Sequence, residues 1–131
     1  MERALPFVKL TVGEKMETKL TKGEGRDRVN LEAVYMGEGL VVRLFNESPH
    51  IGAVAIGEYA VKENRVSVSV LTRLGHKDDV IAQKAAYAIS HFTHQPVCVI
   101  AGVHLDDITA EEINRLVDNT TQLVQDLIQK L

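Results

Sequence analysis

The sequence predicts an α+β domain, a mixed and mostly antiparallel sheet with one β-α-β unit and a C-terminal helix, occupying residues 1–131 as a single domain. Three observations predict it. Strand-like runs crowd the chain up to Leu71, helical periodicity is confined to two late segments, and the apolar run Val97 to Ala101 falls between those two segments. At 131 residues such a chain can bury roughly two thirds of its unfolded surface without disulfide or metal staples.

Phe7 to Leu20 alternates (Val8, Leu10 and Val12 against Lys9 and Thr11), predicting a strand that turns near Gly13 and continues from Met16 to Leu20. Gly23 and Gly25 mark a break. The basic run Lys19 to Arg28 is diluted by acids and glycines, and reads as a mobile solvated loop between strands. Leu31 to Met36 and Leu40 to Phe45 form two further strands, joined by Gly37-Glu38-Gly39 with the backbone freedom a hairpin needs. Ile51 to Ile56 and Arg65 to Leu71 read as a second antiparallel hairpin turning at Lys62-Glu63-Asn64.

A first helix is expected from Asp78, whose carboxylate can accept the open amides of the first turn. Its apolar stripe is Ile81, Ala85, Ala88, Ile89 and Phe92, with Ala82 and Ala86 keeping the neighbouring surface thin, and Thr93 to Pro96 stops it. Thr109-Ala110-Glu111-Glu112 fits a capping box and starts a second helix carrying Ile113, Leu116, Val117, Val124, Leu127, Ile128 and Leu131 at helical spacing.

Charge and composition exclude several classes. A net charge of −3 with scattered basic residues lacks the basic face of a nucleic-acid protein. No apolar run is long enough to cross a membrane, and the single cysteine, Cys98, sits mid-strand as a small buried hydrophobe rather than a nucleophile. A cytoplasmic protein is expected. Ser67 and Ser69 alternate with valines and face away from them, as a polar sheet face or a subunit contact rather than a reactive pair, and no Gly-x-Ser-x-Gly elbow exists. With many strands and two helices, a sheet face or edge is left uncovered, and an uncovered sheet is commonly buried against a copy of itself, so a homo-oligomer is expected, a dimer or a multiple of one.

Three histidines carry the candidate site. If the second hairpin is followed by a parallel right-handed crossover, His50, His76 and His104 meet at one end of the sheet, where open α/β sheets tend to bind ligands. Gly75-His76-Lys77-Asp78-Asp79 joins a strand to a helix, so free helix amides, Lys77 and His76 can receive a phosphate or carboxylate, although ordinary turn grammar gives the same pattern. Gly102-Val103-His104-Leu105-Asp106-Asp107 repeats the theme at the next strand end. No pair has metal-ligand spacing, so no metal site is expected. His91 and His94 read as favourable charge at a helix C-terminus, and Arg43 and Arg73 as surface ion-pairing groups near the same sheet end.

Taken together, Val66 to Val70 with the Gly75-His76-Lys77-Asp78-Asp79 loop, then Val97 to Ala101 with Gly102-Val103-His104-Leu105-Asp106-Asp107 and a Glu-rich final helix, resemble the LpdD-like proteins. These are small accessory subunits of gallate decarboxylase and other UbiD-type decarboxylases. The resemblance covers the chain from about Ile51 onward and the first half by strand pattern only. It implies a chaperone that holds or delivers prenylated FMN, with a UbiD-type decarboxylase as partner. The layout is also similar, in topology alone, to the small proteasome-assembly chaperones.

The expected ligand-facing residues are His50, Gly75, His76, Lys77, Gly102, His104 and Asp106, binding prenylated FMN or FMN without turnover. His76, Lys77 and the helix amides would meet the phosphate, and His104 with Asp106 would orient ring or ribitol groups. Catalytic residues are not assigned by the sequence. Two alternatives stand beside this reading: a protein-assembly chaperone acting through a sheet or helix interface, and a small enzyme using His/Asp acid-base groups.

Overall fold

The computed structural model describes residues 17–74 and 78–131. Its elements are β1 (Glu17–Lys22), a 3-10 turn (Gly25–Asp27), β2 (Val29–Met36), β3 (Gly39–Phe45), β4 (Ala53–Ala60), β5 (Arg65–Thr72), α1 (Asp79–Thr93), β6 (Val97–Gly102) and α2 (Ala110–Lys130). The α+β class, the mixed sheet and the β-α-β unit are as the sequence predicts. The expected strand stretch from Phe7 to Met16 lies outside the described residues.

One six-stranded sheet runs in the order β1-β2-β3-β6-β4-β5. Both hairpins form: Met36 faces Gly39 across a two-residue loop in which Gly37 has φ 62°, and Ala60 faces Arg65 across a turn in which Asn64 has φ 55°. β6 enters between them, parallel to β3 and antiparallel to β4. Because β4 is antiparallel to both β5 and β6, those two are parallel to each other as expected, but β4 separates them. The ends of β3, β5 and β6 and the start of β4 therefore lie at one end of the sheet.

Alternation along the strands sorts the residues between two faces. Leu31, Ala33, Val42, Leu44, Val97, Val99, Ala53 and Ala55 are buried on the same face by register, and both helices cover that face. α1 packs on β4, β5 and β6, while α2 packs on β1 and β2 and touches α1. Gly57 allows the close approach of α1, since a Cβ there would sit 2.7 Å from the Ala86 carbonyl oxygen. The buried stripe of α1 is Ala82, Ala85, Ala86, Ile89 and Ser90: Ala85 and Ile89 of the expected stripe are buried together with the small Ala82 and Ala86, whereas Phe92 at its end is exposed. On α2, Ile113 is exposed, while Leu123 and Thr120 are buried. Cys98 is half-buried on the helix-free face, where burial pushes its thiol pKa up.

The run Lys19 to Arg28 is not a mobile loop. β1 extends through Lys22, and the residues after it are tied to α2. Lys22 pairs with Asp126 at 3.2 Å, Arg115 with Asp27 at 2.6 Å and Arg26 with Glu112 at 2.8 Å, while the Asn119 amide donates to the Asp27 carbonyl at 2.9 Å. Acids on the facing helix, invisible to a local count of charges, convert a solvated stretch into a clamp.

Candidate functional site

The loop between β3 and β4 and the loop between β6 and α2 leave the sheet at the same end, since Phe45 and Ala53 both lie beside the last residues of β6. His50 in the first loop and His104 in the second have ring centroids 6.1 Å apart, at 84° to each other. His50 Nδ1 donates to the Ser48 carbonyl at 2.9 Å, because a carbonyl oxygen can only accept. This directs Nε2 towards Asp78, whose Oδ2 lies 3.7 Å away.

Asp78 is nearly fully buried and precedes α1, as the sequence predicts, but its side chain does not cap the helix. Instead Oδ1 accepts the Val103 amide at 2.9 Å, so the carboxylate joins the start of α1 to the exit of β6. Two glycines make this arrangement possible. A Cβ on Gly52 would overlap the Asp78 carboxylate, and one on Gly102 would overlap the His50 carbonyl. Gly102 is thus the place where the His50 backbone passes β6.

His104 is held by its backbone from both sides. Asn46, fully buried at the end of β3, donates its amide to the His104 carbonyl at 2.7 Å and accepts the His104 N–H at 3.3 Å. The exposed imidazole Nε2 donates to Asp106 at 3.1 Å. The same loop is tethered at the Asp106 carbonyl by Arg26 at 2.7 Å, and Arg26 also grips Glu112 of the capping box. Thr109 Oγ1 accepts the Glu112 amide at 3.1 Å, and the Glu112 carboxylate returns a bond from the Thr109 amide at 3.0 Å. Foremost the Arg26 hydrogen bond, then the Thr109 amide, hold the Glu112 pKa down at about 2.

Beside this cluster the two helices and the second loop line an open-mouthed cavity of about 470 Å³. Asp78 and His104 are its polar wall; Ile81, Val103, Leu105 and Leu116 are among its apolar lining. A chamber of this size, apolar with few convergent polar groups, is of the kind that holds a small organic molecule.

Of the seven expected ligand-facing residues, His50, His104 and Asp106 come together at this end, and Gly102 lies directly beneath His50. Gly75, His76 and Lys77 lie outside the described residues, between Leu74 and Asp78. Arg73 lies at the same sheet end but is spent on structure, donating to the Ile51 carbonyl at 2.9 Å, while Arg43 sits mid-strand on the helix-free face, paired with Glu32. Among the described residues no cluster of His, Cys, Asp or Glu has the arrangement of a metal site. His94 closes α1 in the left-handed conformation, stacked on Tyr59 at 3.7 Å, and His91 stacks on Tyr87. The sequence reading missed Asn46 and Arg26. Asn46 carries only the weak signal of an amide at a strand end, and Arg26 acts across 86 positions of sequence.

No curated protein matches this sequence. Among solved structures, a chain from a chaperone complex for yeast 20S proteasome assembly superposes with a TM-score of 0.55 at 15% identity, covering 86% of this chain and 93% of that one. At that identity the likeness is one of fold, and it matches the topological similarity anticipated from the sequence. The profile of the prenylated flavin chaperone LpdD-like domain matches residues 23–131, most of the chain and all of the site described above. The chain belongs to the prenylated flavin chaperone LpdD-like family.

Proposed function

We propose that this chain holds prenylated FMN, or FMN itself, at the end of the sheet where His50 and His104 meet, and passes it to a UbiD-type decarboxylase without turnover. The observation that carries the reading is the apolar cavity with Asp78 and His104 in its wall, in a member of a prenylated-flavin chaperone family. Its chemistry suits a largely apolar ring system with a few polar edge atoms. His104, oriented by Asp106 and Asn46, would meet such an edge, and His50 would back the wall beside Asp78. Gly75, His76 and Lys77 would receive the phosphate, the role their sequence suggests, and Gly102 would keep the two histidine loops close. When bound, the flavin itself carries any redox or addition chemistry, and these residues bind and orient it.

Anaerobic titration calorimetry with reduced prenylated FMN and with FMN tests this. One flavin should bind per chain. His104→Ala should weaken binding up to about tenfold, the value of a single hydrogen bond. Val117→Trp, which fills the cavity, should abolish it. If the wild type binds neither flavin, the reading fails; colourless co-purification with a partner subunit would then put a protein-assembly role ahead.

A further inference from the structure

The helix-free face of the sheet carries an apolar surface whose layout follows from the register. One row across the strands is Glu17, Val34, Val41, Cys98, Ile56 and Ser69, and the next is Lys19, Glu32, Arg43, Ile100, Val54 and Leu71. The first row is apolar over four adjacent strands. The second continues the patch over β6, β4 and β5, and Leu71 at its end is 77% exposed. Among the described residues both helices lie on the other face, so no described element packs here.

We infer that this face is where a second copy of the chain docks, sheet against sheet. Three features favour a copy over a different partner. The chain carries a net charge of −3, yet the charged residues of this face are Glu17, Glu32 and Glu58 against Lys19, Arg43 and Arg65, three of each sign. A neutral face neither repels its own copy nor selects a partner of opposite charge. Glu32 and Arg43 already pair within the chain, and Lys19 lies opposite Glu32, so these charges need no outside partner. An apolar row that crosses four strands is also complementary to itself under a two-fold axis, the commonest symmetry of homo-oligomers.

The area suffices as well. Six strands at about 4.8 Å spacing and roughly 23 Å long give a footprint of about 650 Å² per copy, or about 1,300 Å² for the pair. Stable interfaces start near about 1,200 Å². The sequence reading anticipated a homo-oligomer, and the structure adds the face and the residues; neither depends on the flavin reading.

The test is sedimentation equilibrium of the full chain under reducing conditions, from sub-micromolar to several hundred micromolar. The wild type should be a dimer that dissociates on dilution. Ile56→Glu and Leu71→Glu place a charge against the copy and should weaken the dimer at least a hundredfold while circular dichroism stays unchanged. Gln83→Glu, on the solvent side of α1, should leave it intact. Cys98 is the sole cysteine, and it should react with a bulky maleimide faster as the protein is diluted. A wild type that is monomeric throughout overturns the inference. So does a dimer that survives both substitutions in folded protein, or Cys98 labelling that ignores concentration. Shielding of Cys98 that appears only with a decarboxylase subunit, or that vanishes on deleting residues 1–16, assigns the face to that occupant instead.

Discussion

Asp78 accepts the Val103 amide at 2.9 Å and so locks the first turn of α1 to the exit of β6. Helix and strand are joined at the site by a carboxylate that ordinary helix grammar assigns to capping. Asp78→Ala leaves the Val103 N–H without its partner in a largely buried setting, at a cost of about 1–3 kcal/mol. Asp78→Asn keeps an acceptor oxygen and should cost less. Urea unfolding of the two variants checks the order, and equal losses would mean that the bond to Val103 contributes little.

Gly102 and Gly52 should tolerate no side chain. A methyl group on Gly102 must displace the His50 carbonyl, and one on Gly52 must displace the Asp78 carboxylate. Neither obstacle is the free end of a flexible side chain: one is backbone and the other is a buried, bonded carboxylate. Gly102→Ala is expected to destabilise by over about 2 kcal/mol, within the range of overpacked interiors. Thermal melting measures this, and the His50 imidazole resonances should shift in the same variant.

The Arg26 clamp predicts a particular acid response. The Glu112 pKa is held at about 2 by Arg26 first and the Thr109 amide second, below the ordinary 4.5. A carboxylate with a depressed folded-state pKa contributes stability that is fully present above its unfolded value and is lost as pH falls through the folded one. The melting temperature of the wild type should therefore decline between pH of about 4.5 and about 2, and Glu112→Gln should flatten that part of the profile. Arg26→Ala should flatten it too, because it removes the largest cause of the shift. If both variants keep the wild-type slope, other carboxylates govern the acid response.

Why some of this was legible in the sequence and some was not follows from the range of each interaction. The hairpin turn at Gly37, the alternating strands and the Thr109 capping box are set by neighbours within a few positions, so their signals are local. The meeting of His50 and His104 was also legible, because strand direction alone fixes which loops share an end. Asp78 reads as a cap because the residue grammar at that place is the same whether its oxygen bonds the next turn or the backbone just after a strand, 25 residues away. The exposed end of α1 differs for a similar reason. Phe92 extends an apolar stripe in isolation, but a helix lying close over Gly57 turns Ala82 and Ala86 inward beside Ile89 and leaves Phe92 outside. The clamp on Arg26 and Asp27 depends on acids and bases nearly ninety positions later, which no local charge count can weigh.

Asn46 and Leu123 separate site geometry from fold stability. Both are buried, and neither was singled out by the sequence. Asn46→Ala removes both side-chain bonds that hold the His104 backbone, leaving a carbonyl and an amide to find other partners, at about 1–3 kcal/mol. Leu123→Ala opens a cavity in the core under α2 and should cost about 2–5 kcal/mol. The larger stability loss should carry the smaller effect on ligand binding. Under conditions where both variants are folded, flavin affinity should fall in Asn46→Ala about as far as in His104→Ala, because the imidazole is no longer set at the cavity wall. Leu123→Ala should bind as the wild type does, since its side chain lines no part of the chamber. Calorimetric titration beside urea unfolding reads both quantities, and an affinity loss that simply tracked stability across the two variants would take His104 out of the site.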